Sequence, residues 1–330
     1  MAAGSQLRDD QPARLPARPG EGARRGLVPA RVQGSRHGRL RTVAPGPGGR
    51  SGLNVLCAVV GHVEWIEFAR VDRVPAAGDI ALAGEVWHEA AGGGAVAAVQ
   101  MARLGAQTTL FTALGEDDIG RRSRERLEDL GVEVEATIAP GGTRRGFTFL
   151  DAQGERTITV FGPKPRPGGD DSSLPWQRLR ETDVVYFTAG DATAVRRARE
   201  ARTLVASSRE RETLLEARVA LDALVGSGAD PGEAYTPGSL HPEPGVWVAT
   251  DGASGGSYTT ATQAARRYTA APLPGPVSDA YGCGDSFAAG FTFGLGEGRG
   301  TEAALELGAR CGAACLTGAG PYGNQLTLAG

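Results

Sequence analysis

The sequence predicts an α/β protein, with a mostly parallel sheet covered by helices on both faces and a second, small β-sheet beside it. Three observations carry this. Short apolar runs of strand length alternate with longer helical patterns from Asn54 onward, the order expected of a parallel sheet with crossover helices. Two hairpin-like segments, near 63–90 and 143–162, break that alternation. Hydrophobic residues make up 41% of the 330 residues, enough for a sizeable core. No stretch approaches the roughly 20 apolar residues of a membrane helix.

The elements follow in order. Residues 1–50 are rich in Arg, Pro and Gly and nearly free of aromatics, so they are predicted to be a disordered tail. Asn54 to Gly61 is an apolar run ending in Gly, the pattern of a buried parallel strand. Val63 to Phe68 and Ala81 to Trp87 are short β-like pieces around a P-A-A-G-D turn. Ala95 to Leu104 is small and apolar, a tightly packed helix. Thr108 to Ala113 is a strand, Ile119 to Leu130 an amphipathic helix stopped by Gly131, and Val132 to Ile138 a strand. Gly146 to Leu150 and Arg156 to Phe161 flank D-A-Q-G-E as a hairpin. Asp183 to Thr188, Thr203 to Ala206, Leu221 to Val225 and Val246 to Thr250 are strands separated mainly by Arg/Glu/Ala-rich helices. Gly284 to Leu295 and Thr301 to Leu316 are the last two helices.

Charge and composition narrow the function. The net charge of −3 hides an asymmetry. Residues 1–50 carry ten Arg against Asp9, Asp10 and Glu21, while residues 51–330 carry a net −10. An acidic body argues against nucleic acid as the main partner. The chain has 34 Arg and one Lys, Lys164, lodged in P-K-P. No Walker lysine and no kinase-type strand lysine exists, so phosphate handling must use backbone N–H groups, Arg and metal. Cys57, Cys283, Cys311 and Cys315 form no C-x-x-C pair, and the four His show no zinc spacing, which reads as reduced thiols in a cytoplasmic protein.

The segment with the most chemistry is Val277 to Gly290, V-S-D-A-Y-G-C-G-D-S-F-A-A-G. Gly282 and Gly284 permit a tight turn with converging N–H groups, and a helix starts there, so its free N–H groups and dipole favour an anion. Asp285 sits in the first helical turn. A carboxylate repels a phosphate, so it makes little sense as a ligand of one; it makes sense as a base taking the proton of an attacking alcohol. The pattern therefore reads as phosphoryl transfer to a hydroxyl, with Asp285 as base and the N–H groups of Gly282, Cys283 and Gly284 as the anion hole. Taken alone, G-x-G-D also fits a Gly-rich helix start with an acid in its cap.

The rest of the chain decides between these. D-A-Y-G-C-G-D, Asp279 to Asp285, resembles the D-T-x-G-A-G-D signature of the ribokinase-like (PfkB) carbohydrate kinases. Ala91 to Gly105 resembles that family's N-terminal signature and is followed by a strand and A-L-G-E-D-D-I-G. Val248 to Gly256 is similar to the family's strand and turn beside the nucleotide, and Gly318 to Pro321 to its C-terminal closure over adenine. The resemblance runs from about Asn54 to Asn324. It implies a doubly wound domain with a β-lid, ATP and Mg²⁺, often a monovalent cation such as K⁺, and a sugar, sugar derivative or nucleoside as acceptor. It places Thr250, Gly252, Ala253, Gly255 and Gly320 at the nucleotide, and Gly92 and Gly93 at the acceptor. It assigns a possible metal role to Asp230, in S-G-A-D where the family has N-x-x-E, and a monovalent-cation role to Asp279. Lid-to-lid homodimers are common in the family.

The chain departs from the family where the sugar is read. Ile66 stands where the family has an Asp, with Glu64 and Glu67 nearby as substitutes, and Val96 stands where it has an Asn. Glu64 and Glu67, three apart on a strand, face opposite sides, so at least one is a surface charge. These changes leave open a nucleoside kinase of the same family, or a non-catalytic sugar- or nucleotide-binding relative. Gly284-x-Ser286 faintly resembles a nucleophile elbow, so a Ser286 hydrolase is a third reading. Trp65 and Trp87 read as core or lid packing, and Cys311 and Cys315, one helical turn apart, as core. Cys283, at a helix N-terminus, is expected to have a lowered thiol pKa and to be open to modification.

Overall fold

In a computed structural model the described residues are 55–260 and 263–328. The tail expected over residues 1–50 lies outside them. Nine strands form the main sheet and four form the small one. The chain begins with β1 (Leu56–Val60), then β2 (Glu64–Arg70) and β3 (Glu85–Ala91) of the small sheet. Next come α1 (Gly93–Arg103), β4 (Gln107–Leu114), α2 (Asp118–Asp129) and β5 (Val132–Ile138). The small sheet is completed by β6 (Arg145–Leu150) and β7 (Arg156–Phe161). The second half of the main sheet follows: β8 (Val184–Phe187), α3 (Ala192–Ala198), β9 (Thr203–Ser207), α4 (Arg211–Ala217), β10 (Ala223–Ser227) and β11 (Val246–Thr250). Finally β12 (Gly256–Thr260), β13 (Gln263–Tyr268), α5 (Cys283–Gly296) and α6 (Thr301–Cys315) close the chain.

The strand order is β13-β12-β11-β10-β9-β8-β1-β4-β5. From β11 to β5 every neighbouring pair is parallel. β1 is the pivot: Cys57 stands opposite Thr108 of β4 on one side and Val184 of β8 on the other. Its alternate residues enter different cores. Val55, Cys57 and Val59 join the layer that contains α1, α5 and α6, while Ala58 and Val60 join the layer of α3 and α4. A strand buried on both faces has to be apolar throughout, which is why the run at 54–61 does not alternate. The doubly wound sheet and the separate small sheet, β3-β2-β6-β7, are those the sequence predicts.

Two expectations need correcting. Ala81 to Gly84 lie outside the strand, which starts at Glu85; Ile80 and Leu82 are fully exposed in the preceding loop. The apolar residues that suggested a strand there have nothing to pack on. The hairpin β12–β13 extends the sheet in the antiparallel sense and was not anticipated. Its Gly, Ser, Thr and Arg residues carry no apolar run, and β13 is an exposed edge strand.

Small residues set the helix spacing behind the site. α5 and α6 approach through Gly290, Gly294 and Gly308: a Cβ on Gly290 would lie 2.5 Å from Cys311 Sγ and 3.1 Å from the Gly308 Cα. Gly290→Ala forces the two helices apart or displaces Cys311, at a cost of about 1–3 kcal/mol for overpacking. Its melting temperature is expected to fall by roughly 3–10 °C. An unchanged Tm shows that Gly290 does not set the spacing. Cys311 and Cys315 are core residues, as their spacing suggests.

Candidate active site

The order of the main sheet reverses at β1, which leaves a crevice beyond the carboxyl ends of β1 and β8, the place where open α/β sheets bind ligands. Four segments meet there. β1 delivers Gly61 and His62, and β8 delivers Thr188. The N-terminus of α1 brings Gly92 and Gly93, and the N-terminus of α5 brings Gly282 to Asp285. Their proximity is visible at Gly93. A Cβ there would lie 2.9 Å from Asp285 Oδ1, 3.2 Å from Thr188 Oγ1 and 3.4 Å from His62 Cε1. Gly92 caps α1 with φ of 90°, which an L side chain adopts only with strain, and its Cα faces His62 and Glu64.

The α5 turn has the form the sequence suggests. Gly282 is left-handed at φ 80°, and no side chain caps the helix. Gly282 is wedged against Val96 and Pro321, whereas Gly284 faces open space. The first N–H groups of α5 are thus presented toward the crevice with no side-chain acceptor of their own. Asp285 follows in the first turn. Burial pushes its carboxyl up to about 6; Arg156 and Arg209 oppose this, while Glu233 and Glu64 add to it.

Cys283 does not have the lowered pKa its position suggested. A hydrogen bond with the Cys315 thiol and burial push it up, outweighing the helix terminus. Ser286 is fully buried and receives a hydrogen bond from Gln325 Nε2 at 3.1 Å. It cannot serve as an exposed nucleophile, and the hydrolase reading ends there.

The side of the crevice toward β2 is more polar than Ile66 and Val96 imply. Both are fully buried: Ile66 packs under Gly146 of the small sheet, and Val96 supports Gly282. The polar groups come from their neighbours. Glu64 Oε1 lies 3.0 Å from Arg144 Nη1 and 3.5 Å from His62 Nε2. His62 Nε2 accepts the Gly93 N–H at 3.3 Å. Burial, reinforced by Lys164, Arg144, Arg166 and Arg209, holds His62 far below its usual range, so the ring is neutral. Burial raises Glu64, against the pull of Arg144 and Lys164. Glu67 points to the other face of β2, where it meets His88 and shares a surface pocket with Trp65 and Arg122. It is therefore not part of this site. Trp65 and Trp87 are packing residues, stacked on His88 and Phe68.

On the other flank, the carboxyl ends of β10 and β11 carry the expected turn. Thr250 ends β11 and donates to the Gly226 carbonyl at 3.4 Å. Gly252 and Ala253 form an exposed turn that ends at the buried Gly255, with Gly252 and Gly255 at positive φ. A Cβ on Gly255 would lie 2.2 Å from the Tyr268 carbonyl, so only Gly fits. Asp230 pairs with Arg209 at 2.8 Å. The carboxylate that acts on Asp285 is instead Glu233, three residues later, which accepts the Ser227 N–H at 2.7 Å and pairs with the same Arg209. Asp279 is buried and accepts the N–H groups of Tyr281 and Gly320. That bond ties Gly320, which also faces Trp87, to the start of the α5 turn. The structure thus gives Asp279 and Gly320 a bracing role.

Fold and crevice together define a class: a doubly wound α/β protein with a separate small sheet and, at its crevice, an uncapped helix start that carries a half-buried carboxylate in its first turn. The sequence profile of the "pfkB family carbohydrate kinase" matches residues 54–223 and 234–327. The chain belongs to that family of carbohydrate kinases. An ATP-dependent ribose-1-phosphate kinase from Halopiger xanaduensis is 28% identical over 295 residues, covering 77% of this chain and 89% of that protein. A microbiome-derived acarbose kinase superposes with a TM-score of 0.68 at 21% identity, covering 83% of this chain and 96% of that one. An adenosine kinase from Sinorhizobium meliloti does so with a TM-score of 0.65 at 19% identity, covering 81% and 95%. No helix among the described residues is long and apolar enough to cross a membrane.

Proposed function

We propose that the chain transfers the γ-phosphoryl of ATP to a hydroxyl of a sugar or sugar-like acceptor, with Asp285 as the base. One observation carries this: a half-buried carboxylate, raised to about 6, stands beside uncapped helix N–H groups and across from Gly93. The acceptor hydroxyl lies between Asp285 and Gly93 and gives its proton to Asp285. The N–H groups of Gly282, Cys283 and Gly284 hold the transferring phosphoryl oxygens. Thr250 and the 252–255 turn border the nucleotide. The relatives act on acceptors as different as ribose 1-phosphate and adenosine, by their names, so family membership alone leaves the acceptor open.

Mg²⁺ fits this arrangement. Among the described residues no three His, Cys, Asp or Glu side chains form a ready-made metal cage. A nucleotide-borne Mg²⁺ needs only one or two carboxylates, its other ligands being phosphate and water. Glu233 and Asp230 supply those beside Arg209. Bound there, the ion neutralises charge on the phosphate oxygens.

The test is coupled ADP release with ATP and Mg²⁺ across sugars, sugar phosphates and nucleosides. For the best acceptor, kcat/KM should fall about tenfold per pH unit below an apparent pKa near 6, because protonated Asp285 cannot take a proton. Glu233→Gln removes a charge that raises Asp285 and should move this limb to lower pH. A profile flat from pH 5 to 8 overturns the assignment of the base.

A further inference from the structure

We infer that Gln325 is a positioning residue: its side-chain amide ties the first turn of α1 to the first turn of α5 and so sets the gap between Gly93 and Asp285. This rests on the phosphotransferase reading above and concerns how its base is held.

The two helix starts are far apart in the chain and meet at the crevice. Gly93 opens α1, Asp285 lies in the first turn of α5, and a Cβ on Gly93 would lie 2.9 Å from Asp285 Oδ1. Behind this gap both helices meet Gln325. Its Nε2 donates to the Val96 carbonyl at 3.0 Å and to Ser286 Oγ at 3.1 Å. Val96 stands one turn after Gly93, and Ser286 follows Asp285 directly. The bridge therefore joins the same two turns that carry the gap.

Gln325 is anchored on the α1 side. Gln100 Nε2 donates to the Leu326 carbonyl at 2.8 Å, and Arg103 Nη1 to the Tyr322 carbonyl at 2.6 Å. Both donors stand on α1, so the segment around Gln325 moves with that helix. Its amide reaches from there to α5, while Val96 and Pro321 pack against Gly282 beside it.

Neither helix needs the bridge to form. The Val96 carbonyl lies within α1, where the helix ladder already uses it. The Ser286 N–H donates to the Gly282 carbonyl at 2.8 Å. The Gln325 bonds thus fix one helix against the other rather than either helix itself. Gln325 is 4% exposed, and its Oε1 is buried without a partner. Leucine, of similar volume, would fill the site without burying an unmet acceptor. What glutamine adds is the N–H group that spans two acceptors.

The test measures coupled ADP release on the best acceptor, beside thermal melts, for Gln325→Leu and for Ser286→Ala, which removes the α5 end of the bridge alone. Gln325→Leu should melt within about 5 °C of wild type. Its kcat should fall at least about tenfold, since misplacement by 1 Å costs about 10²-fold, with KM for acceptor and ATP little changed. Ser286→Ala should fall in the same way, and the double variant no further. In the Asp285→Asn background Gln325→Leu should cost less than about threefold, because its effect passes through Asp285. A folded Gln325→Leu with wild-type kcat overturns the inference while sustaining the kinase reading. So does a loss that persists undiminished in the Asp285→Asn background. If Gln325→Leu does not fold, Ser286→Ala decides by the same measures. If no acceptor releases ADP, the kinase reading fails, and carbon-13 NMR of the aspartate carboxyls decides, with Asp285→Asn assigning the signal. Asp285 should titrate near 6 in wild type and at least about one unit lower in Gln325→Leu and in Ser286→Ala, because a carboxyl released from its place gains water. An unchanged titration overturns the inference.

Discussion

Asp285→Asn is expected to lower kcat by about 10²–10⁴ with little change in nucleotide affinity, the range for loss of a general base. Asn keeps the shape of the side chain and its place in the first turn of α5, but it cannot accept a proton. The same substitution should make the protein more stable at neutral pH. The folded pKa of Asp285 is raised from 3.8 to about 6, so the native state binds its proton more tightly than the unfolded chain does. Stability from this group therefore falls as pH rises from about 4 to about 6, and it stays reduced above that. A shift of this size corresponds to at most about 3 kcal/mol, reduced by the partial contact of the carboxyl with water. Thermal melts of the two proteins at pH 4 and pH 8 test the point. The Asn variant should melt higher at pH 8 and alike at pH 4. Turnover within threefold of wild type removes Asp285 from the chemistry, and equal Tm at pH 8 removes the electrostatic strain.

How much of this site could be read from the sequence depends on how far each contact reaches along the chain. Gly282 to Asp285 form one turn, so four adjacent letters define the uncapped helix start, and the structure keeps it as read. Gly92 and Gly93 are likewise a local helix start. Glu64 and Glu67 could be separated only in part. Strand alternation says that they face opposite sides, but only the seating of the small sheet says that Glu64 turns to the crevice and Glu67 away. Contacts across the fold were not legible. Glu233 reaches the crevice because the chain after β10 folds back on Ser227, and both it and Asp230 pair with Arg209. Arg144 and His62 come from separate segments, and no spacing announces their meeting at Glu64. The Cys283 thiol was misjudged for the same reason. Its helix position is local, but its partner Cys315 lies a whole helix away.

Gly93 and Gly94 offer the clearest separation of chemistry from folding, because neighbouring letters meet different surroundings. A Cβ on Gly94 would lie 2.7 Å from the His62 carbonyl oxygen and 2.8 Å from the backbone of Gly61 and His62. Backbone cannot yield there, since β1 is held in the centre of the sheet. Gly94→Ala is expected to lose about 3 kcal/mol, at the upper end for overpacking. Its activity should be lost in step with the folded fraction. A Cβ on Gly93 meets the tips of side chains instead, Asp285 Oδ1 at 2.9 Å and Thr188 Oγ1 at 3.2 Å, and these can move by a few tenths of an ångström. Gly93→Ala should therefore fold with nearly the wild-type Tm. In the transfer geometry proposed above, however, its methyl group occupies the gap through which the acceptor hydroxyl approaches Asp285. Displacing that hydroxyl by about 1 Å costs about 10²-fold in kcat/KM. ADP release on the best acceptor, measured beside thermal melts of both variants, separates the two effects. Wild-type kcat/KM in Gly93→Ala means that the acceptor does not pass between Gly93 and Asp285, and the transfer geometry must then be redrawn around the open face of Gly284.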